Sequence, residues 1–199
     1  MTKTVTALYD TNSEAFSAVN ALEAAGFAHS DISIVANNSE NWHRNDGATN
    51  AAKDAADGAG AGAVVGGVGG LLTGLGIMAI PGLGPVVAAG WLVATAVGVV
   101  AGAAVGGAAG GIIGSLTTAG VPKADAEVYA EGVRRGGSLV IVRVADAREA
   151  EARSILLRQR AVDLDTRGRI YRESGWSSFD ANAPAYTADE VARERTLYR

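Results

Sequence analysis

The chain has 199 residues, a formal net charge of −4 and no cysteine, with 48% hydrophobic but only 6% aromatic residues. The absence of cysteine excludes disulfides and thiolate chemistry. Charge is −5 over residues 1–57 and +1 from residue 121 onward, so neither end predicts a nucleic-acid-binding surface. The N-terminus shows no apolar run typical of a secretory signal, and we expect the polar part to stay in the cytoplasm.

Residues 1–36 predict a β-α-β unit, the first half of a folded domain. Thr4 to Tyr9 alternate as a strand, and Asp31 to Ala36 form a second apolar strand. Between them, Thr11 and Glu14 have the spacing of a helix cap, and the helical pattern ends at Gly26. Residues 37–57 are polar and predict a linker.

The next 65 residues, 58–122, contain no Asp, Glu, Lys, Arg or His and hold 20 of the 27 glycines. Glycine recurs every fourth residue in two ladders, Gly58, Gly62, Gly66, Gly70 and Gly74, then Gly98, Gly102, Gly106, Gly110 and Gly114. Because positions i and i+4 share a helix face, each ladder predicts a bare groove along which another helix backbone can pack.

Between the ladders, Ile80-Pro81-Gly82-Leu83-Gly84-Pro85 predicts a turn, with Pro81, Gly82, Gly84 and Pro85 as the turn residues. The prediction is a glycine-zipper helical hairpin over residues 58–120, with arms 58–80 and 85–118. These arms would be about 35 and 50 Å long, against a bilayer core of about 30 Å. Its apolar outer face would carry Leu71, Leu72, Trp91 and Leu92.

Residues 121–175 predict the second half of the domain. Pro122 opens a helix, 139–144 is an apolar central strand covered on both faces, 146–160 is a charged helix and 161–165 is a short strand. Without the insert, the order is β-α-β-β-α-β. The predicted fold is therefore α+β, a ferredoxin-like domain split by the hairpin, with a four-stranded antiparallel sheet and helices on one face.

Residues 176–199 form a polar tail with a short helix capped by Thr187 and Glu190. Three aromatic residues in this polar setting, Trp176, Phe179 and Tyr186, are interpreted as anchors that dock the tail onto the domain or a neighbouring subunit.

The residues predict no catalytic, cofactor or metal site. No Gly-Lys-Ser/Thr follows the glycines, which argues against a phosphate loop. His29 and His43 lack partners at metal-ligand spacing. Arg134, Arg135 and the later arginines alternate with acidic residues, which predicts a solvated face.

Three stretches carry a resemblance to a known family: Tyr129-Ala130-Glu131-Gly132-Val133-Arg134-Arg135-Gly136-Gly137, the 80–85 turn and Arg172-Glu173-Ser174-Gly175-Trp176. The chain resembles bacterial general stress proteins with a heat-induced stress protein YflT-like domain, often called low-temperature-induced proteins. The resemblance implies a split α/β domain around a glycine-zipper hairpin, expression under stress and no catalytic residues.

The leading hypothesis is a non-enzymatic stress protein that self-associates through the hairpin at or in the cytoplasmic membrane, with its head in the cytoplasm. The alternative is a soluble cytoplasmic homo-oligomer with the hairpins packed inside, where they could enclose lipid. A third hypothesis makes the head a small-molecule sensor by fold analogy. The expected partners are other copies of the chain and lipid, not nucleic acid.

Overall fold

The computed structural model describes residues 2–43, 75–80, 82–92 and 107–198. Its strands are β1 (Thr2–Tyr9), β2 (Ile32–Asn37), β3 (Gly76–Ile80), β4 (Gly84–Gly90) and β5 (Ser138–Ala145). Its α-helices are α1 (Asn12–Ala24), α2 (Gly107–Thr118), α3 (Lys123–Arg134), α4 (Glu149–Arg158), α5 (Leu164–Glu173) and α6 (Ala188–Leu197).

The described strands form one five-stranded sheet in the order β1-β5-β2-β4-β3, and every neighbouring pair is antiparallel. β5 lies between β1 and β2, so the first β-α-β unit is split by a strand from the far end of the chain. Helices and an antiparallel sheet together confirm the predicted α+β class.

Both faces of the sheet are covered, because successive side chains on each strand point to opposite sides. On one face, α1 and α4 pack over a core that includes Val5, Tyr9, Ile34, Val140, Val142 and Leu156. On the other face, α2 and α3 pack over a core that includes Leu8, Val35, Val86, Leu116, Leu139 and Ile141. The prediction that β5 is central and covered on both faces is confirmed. The prediction that helices cover only one face of the sheet is wrong.

The predicted fourth strand at 161–165 is also wrong. The backbone N–H of Val162 donates to the carbonyl of Leu8 at 2.8 Å, which is a single contact with the edge strand β1. Asp163 then caps α5 by accepting from the N–H of Thr166 at 2.8 Å. The cap therefore starts a helix where a ferredoxin-like fold would continue a strand.

The predicted helical arms are wrong over residues 76–80 and 84–90, which form the β3–β4 hairpin beside β2. Val86 and Val87 lie in β4 and are fully buried, as β-branched residues in a covered strand usually are. Residues 107–118 are helical, in agreement with the second arm. The linker and the remaining parts of the two arms lie largely outside the described residues.

The turn between β3 and β4 uses two glycines in the left-handed region, Gly82 at φ +75° and Gly84 at φ +85°. The C-terminal tail crosses this turn closely. A Cβ on Gly82 would lie 2.8 Å from the Cα of Ala181, and one on Gly84 would lie 2.7 Å from the Cβ of Ala185. Gly82 and Gly84 thus lie at a turn between two strands, and not between helices, and both lie against the tail.

Two helical glycines distinguish internal packing from an open surface. A Cβ on Gly132 in α3 would lie 2.5 Å from Leu8 Cδ2, whereas a Cβ on Gly114 in α2 would meet no atom within 4 Å. Alanine favours both helices by about 1 kcal/mol over glycine. We expect Gly132→Ala to be less stable than Gly114→Ala by about 1–3 kcal/mol because Leu8 must shift. Urea unfolding of the two variants measures this difference, and equal stabilities would contradict the packing.

Candidate functional site

Most of the predicted glycine ladder lies outside the described residues. This holds for Gly58, Gly62, Gly66, Gly70, Gly74, Gly98, Gly102 and Gly106. Gly110 and Gly114 lie one turn apart on α2, and Gly114 is exposed. Pro81 and the outer-face residues Leu71 and Leu72 are likewise outside the described part, and Pro85 is half-buried in β4.

Leu92 does not lie on an apolar outer face, so the prediction is wrong for this residue, whereas Trp91 is half-buried. Leu92 is fully buried, and its N–H donates to Ser33 Oγ at 3.0 Å. Trp91 Nε1 donates to the carbonyl of Asp31 at 3.1 Å, and the guanidinium of Arg143 lies 4.5 Å from the Trp91 ring. Both residues therefore fix the end of β4 to the start of β2.

The three aromatic residues of the tail contact the folded domain. The Trp176 ring packs edge-on against Tyr171 with centroids 5.9 Å apart. Phe179 packs against the core on the α2–α3 face. The guanidinium of Arg134 lies 4.9 Å from the Tyr186 ring.

A group of charged and aromatic side chains, three of them buried and the others half-buried, joins the tail to α3 and β1. We call it the arginine–tyrosine cluster, and it consists of Asp10, Glu131, Arg134, Arg135, Arg167, Tyr171, Tyr186, Glu194 and Tyr198. It includes residues from α3, α5 and α6, together with Asp10 just after β1. Glu131, Arg134 and Arg135 belong to the stretch 129–137. Tyr171, which contacts Arg135, directly precedes the stretch 172–176, and Trp176 of that stretch packs against the Tyr171 ring.

Glu131 is the centre of one half of the cluster. Its side chain has no exposed area, and it accepts from Arg135 Nε at 2.7 Å and Arg134 Nη1 at 3.2 Å. Arg135 also pairs with Glu194 of α6 at 3.4 Å, and its guanidinium lies 4.3 Å from the Tyr171 ring. A buried carboxylate requires such partners, because an unpaired charge is costly inside a protein.

Arg167 is the centre of the other half. It donates two parallel hydrogen bonds to Asp10, at 2.7 and 2.9 Å, in the bidentate geometry that arginine prefers with a carboxylate. Its guanidinium also lies 3.7 Å from the Tyr198 ring. The Tyr198 hydroxyl donates to Glu194, which connects the two halves.

Burial shifts the ionisation of the cluster. It raises the pKa of Tyr171 to about 12, although the positive charge of Arg167 opposes the shift. Burial disfavours the charge of Arg135, but the hydrogen bond and charge of Glu131 outweigh it and raise the Arg135 pKa above its usual value. The cluster surrounds a cavity of only about 10 Å³. The contacts of the cluster join the tail to α3, and so they hold the tail in place.

Two larger clefts lie near the start of β1. One, of 360 Å³, lies between α2 and the sheet and is lined by residues that include Trp91, Ser115 and Arg143. The other, of 480 Å³, follows the outer edge of β1 and has mostly polar walls. Across the described ranges, no group of His, Cys, Asp and Glu could hold a metal ion. Among these residues, no helix combines the length and apolarity needed to cross a bilayer.

The sequence interpretation missed this cluster for a physical reason. Arg134 and Arg135 alternate with acidic residues and were expected on a solvated face, yet their side chains are only 13% and 9% exposed. They are covered by α5 and by the tail, and α5 was not predicted. The only local signal for α5 was Asp163 three residues before Thr166, which is the spacing of a helix cap.

The fold and the cluster define an α+β domain with a split β-α-β core and a C-terminal tail held by buried ion pairs. Residues 4–82 of this chain match the heat induced stress protein YflT domain. The match runs from β1 to the turn after β3, less than half of the chain, and it confirms the resemblance and indicates a stress-related role. No curated protein and no solved structure gives a match.

The buried position of Glu131 predicts a large effect of its removal. We expect Glu131→Ala to lower the free energy of unfolding by about 3–5 kcal/mol, because Arg134 would lose its carboxylate partner and Arg135 would keep only Glu194, at 3.4 Å. Glu151→Ala is the matched control. Glu151 pairs with Arg148 at 2.8 Å on the surface, so its loss should leave the urea midpoint unchanged. Similar midpoints for the two variants would contradict a structural role for the cluster.

The raised pKa of Tyr171 predicts that the folded protein loses stability in strong alkali. This pKa is about 12 in the folded protein and about 10 when the chain is unfolded, so above pH 10 the unfolded chain releases this proton first. The free energy of unfolding should therefore fall as pH rises from 10 to 12, by at most about 2–3 kcal/mol from this residue. Tyr171→Phe should reduce that slope in urea titrations across this range, and an unchanged slope would contradict the assignment.

Proposed function

We propose that this chain is a non-catalytic, stress-related protein that self-associates through its glycine ladders at or in the cytoplasmic membrane, with the folded head in the cytoplasm. The observation that carries the proposal is the uncharged run of 65 residues with glycine at every fourth position in two series. Such spacing lets helix backbones approach closely where water is excluded.

The described end of the second ladder supports a surface role for these glycines. Gly114 is exposed, and a side chain there would meet no atom of the protein. Internal packing therefore does not explain why this helical position lacks a side chain, although glycine in a helix costs about 1 kcal/mol relative to alanine. Close approach of a second backbone would explain it.

The described parts of the uncharged stretch belong to the same folded unit as the rest of the head. β3 and β4 extend the sheet beside β2, and α2 packs against α3. Charged residues resume at Lys123, directly at the start of α3. Lys53 and Lys123 flank the uncharged stretch in sequence, and positive charge at both ends favours a cytoplasmic side for them.

The second candidate is a soluble homo-oligomer in which the same glycines pack only against each other. It shares self-association with the first and differs in what covers the apolar side chains. The exposed, unobstructed Gly114 is compatible with both.

Membrane fractionation separates the two. We expect the protein to pellet with membranes and to resist extraction with alkaline carbonate. The carbonate step must be brief, because Tyr171 predicts weaker stability at high pH. A large, monodisperse particle in the absence of detergent would support the soluble assembly and would contradict the membrane proposal.

Leucine substitutions test the ladders themselves. We expect Gly114→Leu, and likewise Gly66→Leu and Gly106→Leu, to lower the mass of the oligomer, since a large side chain blocks close backbone approach. Ala192→Leu is the matched control, because Ala192 is exposed on α6 outside any ladder. Light scattering after size exclusion gives the masses. Unchanged mass in all three ladder variants would contradict self-association through these glycines.

A further inference from the structure

The outer edge of β1 has unused backbone hydrogen-bonding groups. The carbonyl of Leu8 points away from β5, since it accepts from Val162. Backbone groups alternate sides along a strand, and the β1–β5 register is unbroken, so those of Thr2, Thr4 and Thr6 also point outward. In the parts of the chain that the structure describes, no backbone group pairs with these three residues.

This edge lies along the bottom of the 480 Å³ cleft, which we call the edge groove. Its walls come from the start of α3 and the first turns of α4, and its lining includes Thr2, Thr4, Asp125, Tyr129, Glu149 and Arg153. The groove therefore combines free strand hydrogen bonds with side chains on both sides, which is the arrangement that accepts an added strand.

We propose that the edge groove pairs with β1 of a second copy of this chain. The strands would run antiparallel about a two-fold axis at Thr4, with Thr4 opposite Thr4 and Thr2 opposite Thr6. This register forms about six backbone hydrogen bonds, two for each facing pair of outward residues. The two five-stranded sheets would become continuous.

The charges of the groove favour a second copy over a strongly charged peptide. Lys3 and Arg153 are balanced by Asp125 and Glu149, so the lining has no net charge. A two-fold axis can place the cations of one copy against the anions of the other, which is the self-complementarity that an isologous interface requires.

The side of α4 that faces the groove carries an apolar residue without cover. Glu149, Arg153 and Leu157 follow at four-residue spacing and lie on one side of the helix. Leu157 is 61% exposed, although it is a large hydrophobic residue. In the paired arrangement the two α4 helices would run antiparallel beside the joined strands, and this side would be covered.

The edge also lacks most of the features that keep exposed strands apart. From Thr2 to Tyr9 the strand contains no proline and no bulge, and Lys3 is its single charged residue. Exposed edges of this kind pair readily with another strand.

Proline at position 4 tests the pairing without breaking the sheet. The N–H of Thr4 points outward, so Thr4→Pro in both copies removes two hydrogen bonds between the copies and none to β5. Thr4→Val is the matched control, since it changes the side chain and keeps the N–H. Both variants are also made with Gly114→Leu, which separates the edge from the glycine ladder. In that background we expect a dimer for Thr4→Val and half its mass for Thr4→Pro, with unchanged circular dichroism. Equal masses would overturn the proposal.

Single cysteines test the register, because the natural chain has none. With a short bismaleimide, Thr4→Cys should give a covalent dimer. Thr2→Cys should crosslink to Thr6→Cys in a mixture of the two proteins, and more weakly to itself. Thr196→Cys, exposed on α6, is the control. Equal crosslinking at all positions would overturn the proposed axis. No crosslinking at Thr4→Cys would also overturn it, and this is the result expected if another protein occupies the edge.

Discussion

The structure depends on β5, which is hydrogen-bonded on both sides and covered on both faces. β1 and β2 come from the first forty residues, yet they do not pair with each other, because β5 lies between them. The segment Leu139 to Val144, apolar except for Arg143, supplies both cores at once. Removing β5 would separate β1 from the strands β2, β4 and β3 and would take away the strand that both helical layers cover.

The position of β5 beside β2 also determines where the described parts of the uncharged stretch lie in the fold. Since β2 and β5 are neighbours, the chain that connects them must leave the sheet and return to its centre. β3, β4 and α2 use part of that connection to widen the sheet and cover one face. The glycine-rich residues are thus an integral part of the domain over the described ranges, and not an appendage on a four-stranded core.

Sequence patterns predicted the correct secondary structure where local sequence preference and tertiary packing favour the same element. The alternation of β1, the cap at Thr11 and the apolar run of β5 each predicted the observed element. The pattern failed at 76–80 and 84–90, because a run rich in glycine, alanine and valine is compatible with a buried helix or a buried strand. Pairing of β4 with β2, and of β3 with β4, decides for the strand. The pattern failed again at 161–165, where a cap overrides a short alternation.

The candidate surfaces differ in how well they can be predicted from the sequence. The glycine ladder is visible in sequence because it is periodic. The arginine–tyrosine cluster is not, since Asp10 and Arg167 are far apart in the chain and look like solvated charges until the tail covers them. The open edge of β1 also depends on tertiary structure. Among the described residues, Val162 makes a single backbone hydrogen bond to this edge, and no strand pairs with the rest of it.

The central position of β5 also has a consequence for synthesis on the ribosome. About one hundred residues separate β2 from β5, and at ribosomal rates these take roughly 5–20 s to be added. Throughout that interval β1 and β2 lack the strand that joins them, while the uncharged, glycine-rich stretch leaves the exit tunnel. The nascent chain therefore exposes apolar segments before its domain can close, and this is the period in which a chaperone or a lipid surface would have first access to it.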